Sequence, residues 1–233
     1  MTDKVFVGSV QNTLIVVVLS VMLCLPLSFL LALMLNLKMK CSGLIRVLNF
    51  TPNVIAAVIV GMLWVFILDV KIGFLNNILG AIGLPSNTQW IGGSVLSPYS
   101  FAFVDSWRGA GFYAVVILAG MKLIPDEIYE SAQIDGANAL KRLFYITIPM
   151  LKETIKICLV LIISGGFKTF EIPWALTGGG PFHKADTITT YLYHATNQTK
   201  TYGYGMSIAI VLFIITMTIS VIFLRLTSKN ITD

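Results

Sequence analysis

Long apolar runs separated by short polar segments dominate the chain. Three stretches carry no Asp, Glu, Lys or Arg at all: residues 5–37, 47–68 and 201–224. A helix that crosses a bilayer needs roughly 20 predominantly apolar residues, and each of these stretches is long enough to supply one. Helices in the cores of soluble proteins rarely stay uncharged over that length. The pattern therefore predicts an all-α protein that spans a membrane.

We predict about five membrane spans, packed as one polytopic helical bundle that forms a single domain over residues 1–233. The predicted spans are residues 12–36, 47–68, 101–124, 153–176 and 203–224. Residues 70–98 contain Gly, Asn and Pro and are expected to form short interfacial turns. Pro26 and Pro52 fall in or near apolar segments, where neighbouring helices can satisfy the freed backbone groups.

The composition agrees with a membrane protein and argues against a nucleic-acid-binding one. Hydrophobic residues make up 56% of the chain and charged residues 12%, whereas soluble domains average about 25% charged residues. The net charge of +5 comes from basic residues beside the apolar spans. This placement is typical of cytoplasmic anchoring and contact with membrane lipid, so no nucleic-acid partner is expected. Cys24, Cys41 and Cys158 lack metal-ligand or disulfide spacing and are expected to be small buried hydrophobic residues.

The Lys and Arg positions also predict an orientation, because cytoplasmic loops are enriched in both. Placing the 125–152 loop in the cytoplasm leaves ten basic residues inside and four outside. The inner set is Lys38, Lys40, Arg46, Lys122, Lys141, Arg142, Lys152, Lys156, Arg225 and Lys229, and the outer set is Lys4, Lys71, Lys184 and Lys200. We therefore predict that the loop and the C-terminus are cytoplasmic.

The 125–152 loop is predicted to form a helix, a turn and a second helix. Pro125 suits the first turn of a helix, and the acidic residues that follow complement its positive end. Gly136 permits a turn conformation that other residues resist, and Pro149 is expected to end the second helix. That helix would place Ala137, Leu140, Phe144 and Ile148 on one face and Lys141 and Arg142 on another. A short amphipathic helix of this kind can fit a groove on a soluble partner.

At these residues the chain resembles the permeases of binding-protein-dependent ABC importers. The cytoplasmic EAA loop of that family has the pattern Glu-Ala-Ala, three residues, Gly, nine residues, Ile-x-Leu-Pro. The matching positions are Glu130, Ala132, Gly136, Ile146 and Pro149, while Ser131 and Ile148 replace Ala and Leu. Further resemblance to the carbohydrate-uptake branch lies in Asn12-Thr-Leu, Trp107-Arg-Gly and Thr177-Gly-Gly-Gly-Pro181. The last segment resembles the maltose-type "F" member of the permease pair.

The resemblance implies a permease subunit of an ATP-driven importer for a sugar or oligosaccharide, located in the cell (inner or plasma) membrane. The implied partners are a second, different permease, two ATPase subunits and an extracellular or periplasmic sugar-binding protein. ATP and Mg²⁺ would be used by the ATPases, and this chain is expected to bind no cofactor and to be no enzyme. The implied ATPase-coupling residues are Glu130, Ser131, Ala132, Asp135, Gly136, Ala137, Ile146 and Pro149. The family commonly has a span before Asn12, so the chain is expected to be a five-span form or to start late.

Four charged residues lie at membrane depth in the third and fourth predicted spans: Asp105, Arg108, Lys168 and Glu171. Each acid is three residues from a base, so the pairs could neutralise themselves at the outer interface. The alternative is that they line the substrate path. A sugar path needs aromatic platforms and hydrogen-bond partners, and the positions carried over from the family are Trp107, Arg108, Gly109, Phe112, Gly166, Thr169 and Phe170. Gly166 could equally allow close helix packing, and Trp107 could belong to an interfacial belt.

The competing interpretations predict other chemistry. A proton-coupled secondary transporter would use Asp105 or Glu171 as its relay, and a channel would leave the 125–152 loop without a purpose. A membrane enzyme would need convergent nucleophiles, metal ligands or paired acids, which the sequence does not suggest. His183 and His194 lie eleven residues apart in a predicted outer loop. We expect them to be surface histidines rather than metal ligands.

Overall fold

A computed structural model describes residues 3–37, 42–93 and 95–228. Within these ranges the regular secondary structure is entirely helical, which confirms the predicted all-α class. The predicted inner-side residues Lys38, Lys40 and Lys229 lie outside the described residues, as does Cys41.

Twelve α-helices follow one another along the described chain. They are α1 (Lys4–Asn36), α2 (Ser42–Val54), α3 (Ala57–Leu68), α4 (Phe74–Ala81), α5 (Ser97–Lys122), α6 (Asp126–Ile134), α7 (Ala139–Arg142), α8 (Ile148–Met150), α9 (Lys152–Lys168), α10 (Glu171–Thr177), α11 (Ile188–Tyr193) and α12 (Tyr202–Ser228). A π-helical turn, Leu143–Thr147, joins α7 to α8, and a second, His194–Gln198, follows α11.

Three helices are long and apolar enough to cross a membrane: α1, α5 and most of α12. They coincide with the first, third and fifth predicted spans, although α1 begins at Lys4 rather than at residue 12. Asp3 sets this earlier start, because its carboxylate accepts hydrogen bonds from the backbone N–H groups of Val5 and Phe6. The same carboxylate accepts hydrogen bonds from the hydroxyls of Tyr191 and Tyr204, so it ties the start of α1 to α11 and α12.

The second and fourth predicted spans are not continuous helices, contrary to the sequence prediction. Helices α2 and α3 meet at a bend of 95°, and α9 ends at Lys168 before α10 begins at Glu171. Pro173 explains the second break, because it has no N–H to donate to the carbonyl of Thr169. That carbonyl instead accepts a hydrogen bond of 2.5 Å from the Thr189 hydroxyl. The number of five spans remains a prediction.

Close contacts at small residues hold the helices together. At Gly111 of α5, an added Cβ would lie 1.9 Å from the backbone oxygen of Asn49 in α2. At Gly61 of α3, an added Cβ would lie 2.4 Å from the Cβ of Ala175 in α10. Glycine therefore lets two pairs of helices approach until their backbones nearly touch, which is a common packing device in membrane bundles.

The outward-facing sides of the long helices are apolar and exposed, as expected for helices that face lipid or another membrane subunit. Examples on α1 and α12 are Met22, Leu30, Met34, Met206, Phe213 and Met217. The buried core instead surrounds α5, whose Phe101, Val104, Ala114 and Ile117 are all fully enclosed. Helix α5 is thus the central element against which α1, α2 and α9 pack.

Gly111→Ala is expected to destabilise the bundle, because its methyl group would collide with the backbone of α2. Overpacking costs about 1–3 kcal/mol, and a contact with backbone atoms cannot be relieved by rotating a side chain. Thermal unfolding of the purified chain in one detergent would measure the loss. The matched control is Gly165→Ala in α9, where nothing lies within 4 Å of the added Cβ. Equal melting temperatures for the two variants would contradict the close packing of α2 against α5.

Candidate translocation cavity and exposed loop

A cavity of about 390 Å³ lies where the two interrupted helices meet α5. Asn53 and Ala57, on either side of the α2–α3 bend, line it, and so do Thr169 and Phe170 from the gap between α9 and α10. Irregular backbone at membrane depth is tolerated where it is buried in protein or lines a cavity. Broken helices that meet in this way are typical of substrate sites in membrane transporters.

Six of the seven predicted substrate-path residues line this cavity: Arg108, Gly109, Phe112, Gly166, Thr169 and Phe170. The seventh, Trp107, is not part of the lining. Its ring packs edge-on against Trp64, with the ring centroids 5.6 Å apart, and its side chain is partly exposed on the outside of the bundle. The structure therefore brings six positions together, and their contact with a substrate remains a prediction.

Gly165 and Gly166 play different parts in the lining. An added Cβ at Gly166 would lie 3.0 Å from a methyl group of Val17, so this glycine allows α9 to pack closely on α1. Nothing lies within 4 Å of an added Cβ at Gly165. Of the two interpretations of Gly166, close packing is the one that the geometry supports, although the residue also borders the cavity.

All four charged residues at membrane depth line the cavity. A guanidinium nitrogen of Arg108 lies 3.6 Å from a carboxylate oxygen of Asp105, so the first predicted pair forms. The second does not, because Lys168 ends α9 and Glu171 begins α10. Residues three apart face each other only on a continuous helix, and the described residues contain no ion pair between these two.

The cavity wall contains polar atoms without hydrogen-bond partners. Within the described residues, the buried side-chain atoms of this kind are Ser20 Oγ, Ser106 Oγ and Arg108 Nε, and all three residues line the cavity. Buried polar groups in proteins are nearly always hydrogen-bonded, so this wall is suited to a ligand that offers hydroxyl groups. Sequence reasoning missed both serines, whose only signal was a hydroxyl within an apolar run.

The 125–152 loop follows the last turn of α5, whereas residues 178–187, the predicted outer loop, lie near the beginning of that helix, where Ala185 and Phe101 share one core cluster. Helix α6 begins directly after Pro125 and ends at Ile134, and Gly136 follows with a φ of +77°, so the predicted helix and glycine turn are present. The second helix differs from the prediction. It is divided into α7, a π-helical turn and α8, and it continues one residue beyond Pro149 to Met150.

The predicted coupling residues lie on the surface of this loop. Glu130, Ser131, Asp135, Gly136 and Pro149 are exposed, whereas Ala132, Ala137 and Ile146 are half-buried. Large apolar side chains of the loop are exposed as well, namely Ile134, Leu140, Phe144 and Tyr145. The four residues predicted to share one apolar face do not share one environment. Leu140 and Phe144 are exposed, whereas Ala137 and Ile148 are half-buried.

Two residues that sequence reasoning missed anchor the loop to the bundle. The Tyr129 hydroxyl lies 3.1 Å from the Thr147 hydroxyl, and Thr147 in turn donates to the carbonyl of Arg142 across the π-helical turn. The Tyr129 ring also packs on the core cluster that contains the buried side chain of Leu151. These contacts attach the loop to α5 and α9, while its outer surface stays exposed.

The two histidines are not separate surface residues, contrary to the expectation from sequence. His194 is buried, and both rings face the buried carboxylate of Asp186. Burial raises the pKa of Asp186, although hydrogen bonds from Thr190 and His183 oppose that shift. The expectation failed because the residues between the histidines form a folded turn and a helix, which brings positions eleven apart into contact.

An all-helical membrane bundle with broken helices around a polar cavity is an architecture found in membrane transporters. The chain belongs to the family of binding-protein-dependent transport system inner membrane components, whose pattern matches residues 24–231. This assignment confirms the resemblance seen in the sequence and places the chain among membrane proteins that work with a binding protein.

Known relatives agree with the family. The chain is 34% identical to the probable ABC transporter permease protein YurN of Bacillus subtilis, over 96% of this chain and 77% of that protein. It is 30% identical to the trehalose/maltose transport system permease protein MalF of Thermococcus litoralis, over 87% and 67%. A bacterial ABC transporter that imports the acidic polysaccharide alginate superposes with a TM-score of 0.87 at 28% identity, covering 100% of this chain and 82% of that one. The chain is therefore an ABC importer permease.

A cysteine at position 20 tests whether the cavity admits solutes. In a chain with its native cysteines replaced by alanine, Ser20→Cys is expected to react with a small maleimide, because the side chain faces the cavity. Ser28→Cys is the matched control, since Ser28 is also buried on α1 but is not part of the lining. Labelling is read by mass spectrometry of the protein in nanodiscs. Equal reactivity at both positions, or none at position 20, would argue against an accessible cavity.

Proposed function

We propose that this permease forms half of the translocation path for a sugar or oligosaccharide, beside a second and different permease subunit. The observation that carries the proposal is the polar cavity between the two broken helices, with its unpaired Ser20, Ser106 and Arg108 atoms. Sugars present many hydroxyl groups that both donate and accept hydrogen bonds, and such a wall offers partners of both kinds.

Aromatic rings in the cavity add the second element of sugar recognition. Phe112, Tyr113 and Phe170 contribute to the lining, and Phe170 stacks on Trp174 with a centroid separation of 5.6 Å and an interplanar angle of 17°. A ring held in this way offers a flat apolar surface to the C–H face of a sugar. The names of the relatives, which concern trehalose, maltose and alginate, support a saccharide as the substrate class.

The energy for transport comes from two ATPase subunits that bind ATP and Mg²⁺ and dock on the 125–152 loop. The exposed Ile134, Leu140, Phe144 and Tyr145 side chains support this role, because a soluble surface rarely exposes so many large apolar groups together. Glu130 lies exposed on the adjoining helix α6 and supplies a charged contact. On this proposal the loop and the C-terminus lie in the cytoplasm, and the sugar-binding protein docks at the opposite end of the bundle.

Family membership leaves no need for the proton-coupled alternative. Of its two candidate relays, Asp105 and Glu171, the first already forms an ion pair with Arg108. The exposed loop would also lack a partner in a transporter that worked without an ATPase. In a channel, too, the exposed 125–152 loop would have no ATPase partner.

Charge reversal at Glu130 tests the docking role. Glu130→Lys is expected to abolish ATP-dependent uptake and the co-purification of ATPase subunits from mild detergent, because it places a cation at the proposed contact. Membrane insertion should be unchanged, since the side chain is exposed.

The control for that experiment is Glu153→Lys at the start of α9, which has the same charge change and also breaks the 2.8 Å ion pair between Glu153 and Lys156, so it is the more severe substitution. It should retain both uptake and the ATPase subunits. Normal uptake by Glu130→Lys would contradict the docking role, and loss of the ATPases from both variants would indicate a general effect of charge at this end of the bundle.

A pair of aromatic substitutions tests the substrate path. Phe170→Ala removes a ring from the cavity and is expected to raise the KM for uptake about 2- to 10-fold, which corresponds to the roughly 0.5–1.5 kcal/mol of one aromatic contact. Trp107→Ala, which removes a ring outside the lining, should change the KM less. The measurement is uptake by proteoliposomes of the best-transported saccharide from a panel. A larger effect at Trp107 would mean that the path follows the outside of α5 instead.

A further inference from the structure

Both histidines of the chain converge on one buried carboxylate in the outer loop. The chain contains two histidines in all. His183 Nδ1 lies 2.8 Å from one oxygen of Asp186, and His194 Nε2 lies 3.5 Å from the other. Asp186 is fully buried, His194 is nearly so, and the side chain of His183 is 43% exposed. The transport function described above uses none of these three residues.

The backbone of the loop is bent to bring these groups together. Phe182 and His183 both adopt positive φ angles, 55° and 60°, a conformation that costs energy for residues with a side chain. Gly179 passes so close that an added Cβ would lie 2.4 Å from Asp186 Oδ1 and 2.5 Å from His194 Nε2. Strain and a close glycine at the same cluster indicate a site that the fold holds in place.

Neighbouring groups fix the carboxylate in position. The Thr190 hydroxyl donates a hydrogen bond of 2.8 Å to Asp186 Oδ1. The side-chain amide of Asn12 donates to the backbone carbonyls of Lys184 and Asp186, at 3.0 and 2.9 Å, and so fastens the loop to α1. The ligand-bearing loop is therefore supported from two sides.

The two ring nitrogens of His194 have different neighbours. Nδ1 lies 2.7 Å from Gln198 Oε1, whereas Nε2 lies 3.1 Å from the carbonyl oxygen of Gly178 and 3.5 Å from Asp186 Oδ1. In the tautomer that carries its proton on Nδ1, that nitrogen donates to Gln198 and the Nε2 lone pair is available to a metal ion. The outer hydrogen bond to Gln198 is the support that metal-binding histidines usually have.

We propose that His183 Nδ1, the Asp186 carboxylate and His194 Nε2 form a Zn²⁺ site in the outer loop. Two imidazoles and a carboxylate are a ligand set that Zn²⁺ commonly takes, with water in the fourth position. The ligand atoms all lie within 4.8 Å of one another. Ligands of a tetrahedral zinc ion are about 3.4 Å apart, given bonds of roughly 2.1 Å. The widest spacing here exceeds that value by at most about 1.4 Å, and the 2.8 Å contact between His183 and Asp186 is shorter than it, so the exposed His183 ring has to shift when the metal binds.

The metal would stiffen one wall of the cavity. The His194 ring contacts Trp174 at a centroid distance of 5.3 Å, and Trp174 stacks on Phe170, which lines the cavity. Bound Zn²⁺ would join the Gly178–Asp186 turn to the end of α11 and hold His194 against Trp174. Zn²⁺ binding at this site would therefore make the cavity wall around Phe170 more rigid.

The two histidines make a direct test possible. The full chain, carrying an affinity tag without histidine, is labelled with ¹⁵N-histidine and placed in nanodiscs, so that only two imidazole rings give signals. One equivalent of Zn²⁺ is expected to shift His183 Nδ1 and His194 Nε2 and no further change should follow at higher Zn²⁺. Unshifted ring signals at one equivalent, or shifts only at large excess, would overturn the proposal.

Variants separate this site from other sources of binding. His183→Ala is expected to weaken the Zn²⁺ affinity at least tenfold in competition with a fluorescent chelator. Because the His183 side chain is 43% exposed, the melting temperature should stay unchanged, which separates loss of a ligand from loss of folding. Phe182→Ala is the matched control, because Phe182 is an exposed neighbour with the same backbone conformation. Undiminished Zn²⁺ binding by His183→Ala would mean that the metal binds elsewhere and would overturn the proposal.

Discussion

A lipid bilayer offers no hydrogen bonds, so every interruption of a helix at membrane depth must be compensated inside the protein. The two interruptions in this permease illustrate the constraint. Where α9 ends, the carbonyl of Thr169 accepts a hydrogen bond from the Thr189 hydroxyl of α11. The loop before α11 is bound in turn by hydrogen bonds from the side-chain amide of Asn12 in α1. Both breaks line the cavity, and at the second one α11 supplies the hydrogen-bond partner that the helix has lost. The position of α11 against the gap between α9 and α10 is therefore part of what makes the cavity possible.

Helix α5 connects the two functional ends of the molecule. Its Arg108 and Phe112 contribute to the cavity, while its last turn leads through the buried Ile124 into the 125–152 loop. At that end, the contact between Tyr129 and Thr147 and the buried Leu151 bind the loop to the start of α9. Helices α5 and α9 both line the cavity. A movement of the 125–152 loop would therefore be transmitted to the cavity wall by these two packed helices.

The sequence predicted what depends on local pattern and missed what depends on distant contacts. The helical class was predictable from composition and the turn from Gly136, while the six positions that line the cavity came from the family resemblance. The breaks were not, because the apolar residues on both sides of the α2–α3 bend look like one span. The predicted ion pair between Lys168 and Glu171 was wrong because it assumed a continuous helix where α9 ends and α10 begins. The meeting of His183 and His194 depends on a strained turn that no periodicity signals.

The charges in the cavity bear on what it can hold. The formal charges of the four lining residues sum to zero: Asp105, Arg108, Lys168 and Glu171. Among the described residues, only Asp105 and Arg108 of these four form an ion pair with each other. Separated charges of both signs provide strong donors and acceptors without a net field that would trap an ion, and this suits a polar, neutral solute. An acidic saccharide would instead need Arg108 or Lys168 to turn towards it. Arg108 would then leave the carboxylate of Asp105 without its partner, whereas Lys168 has no ion pair to give up among the described residues.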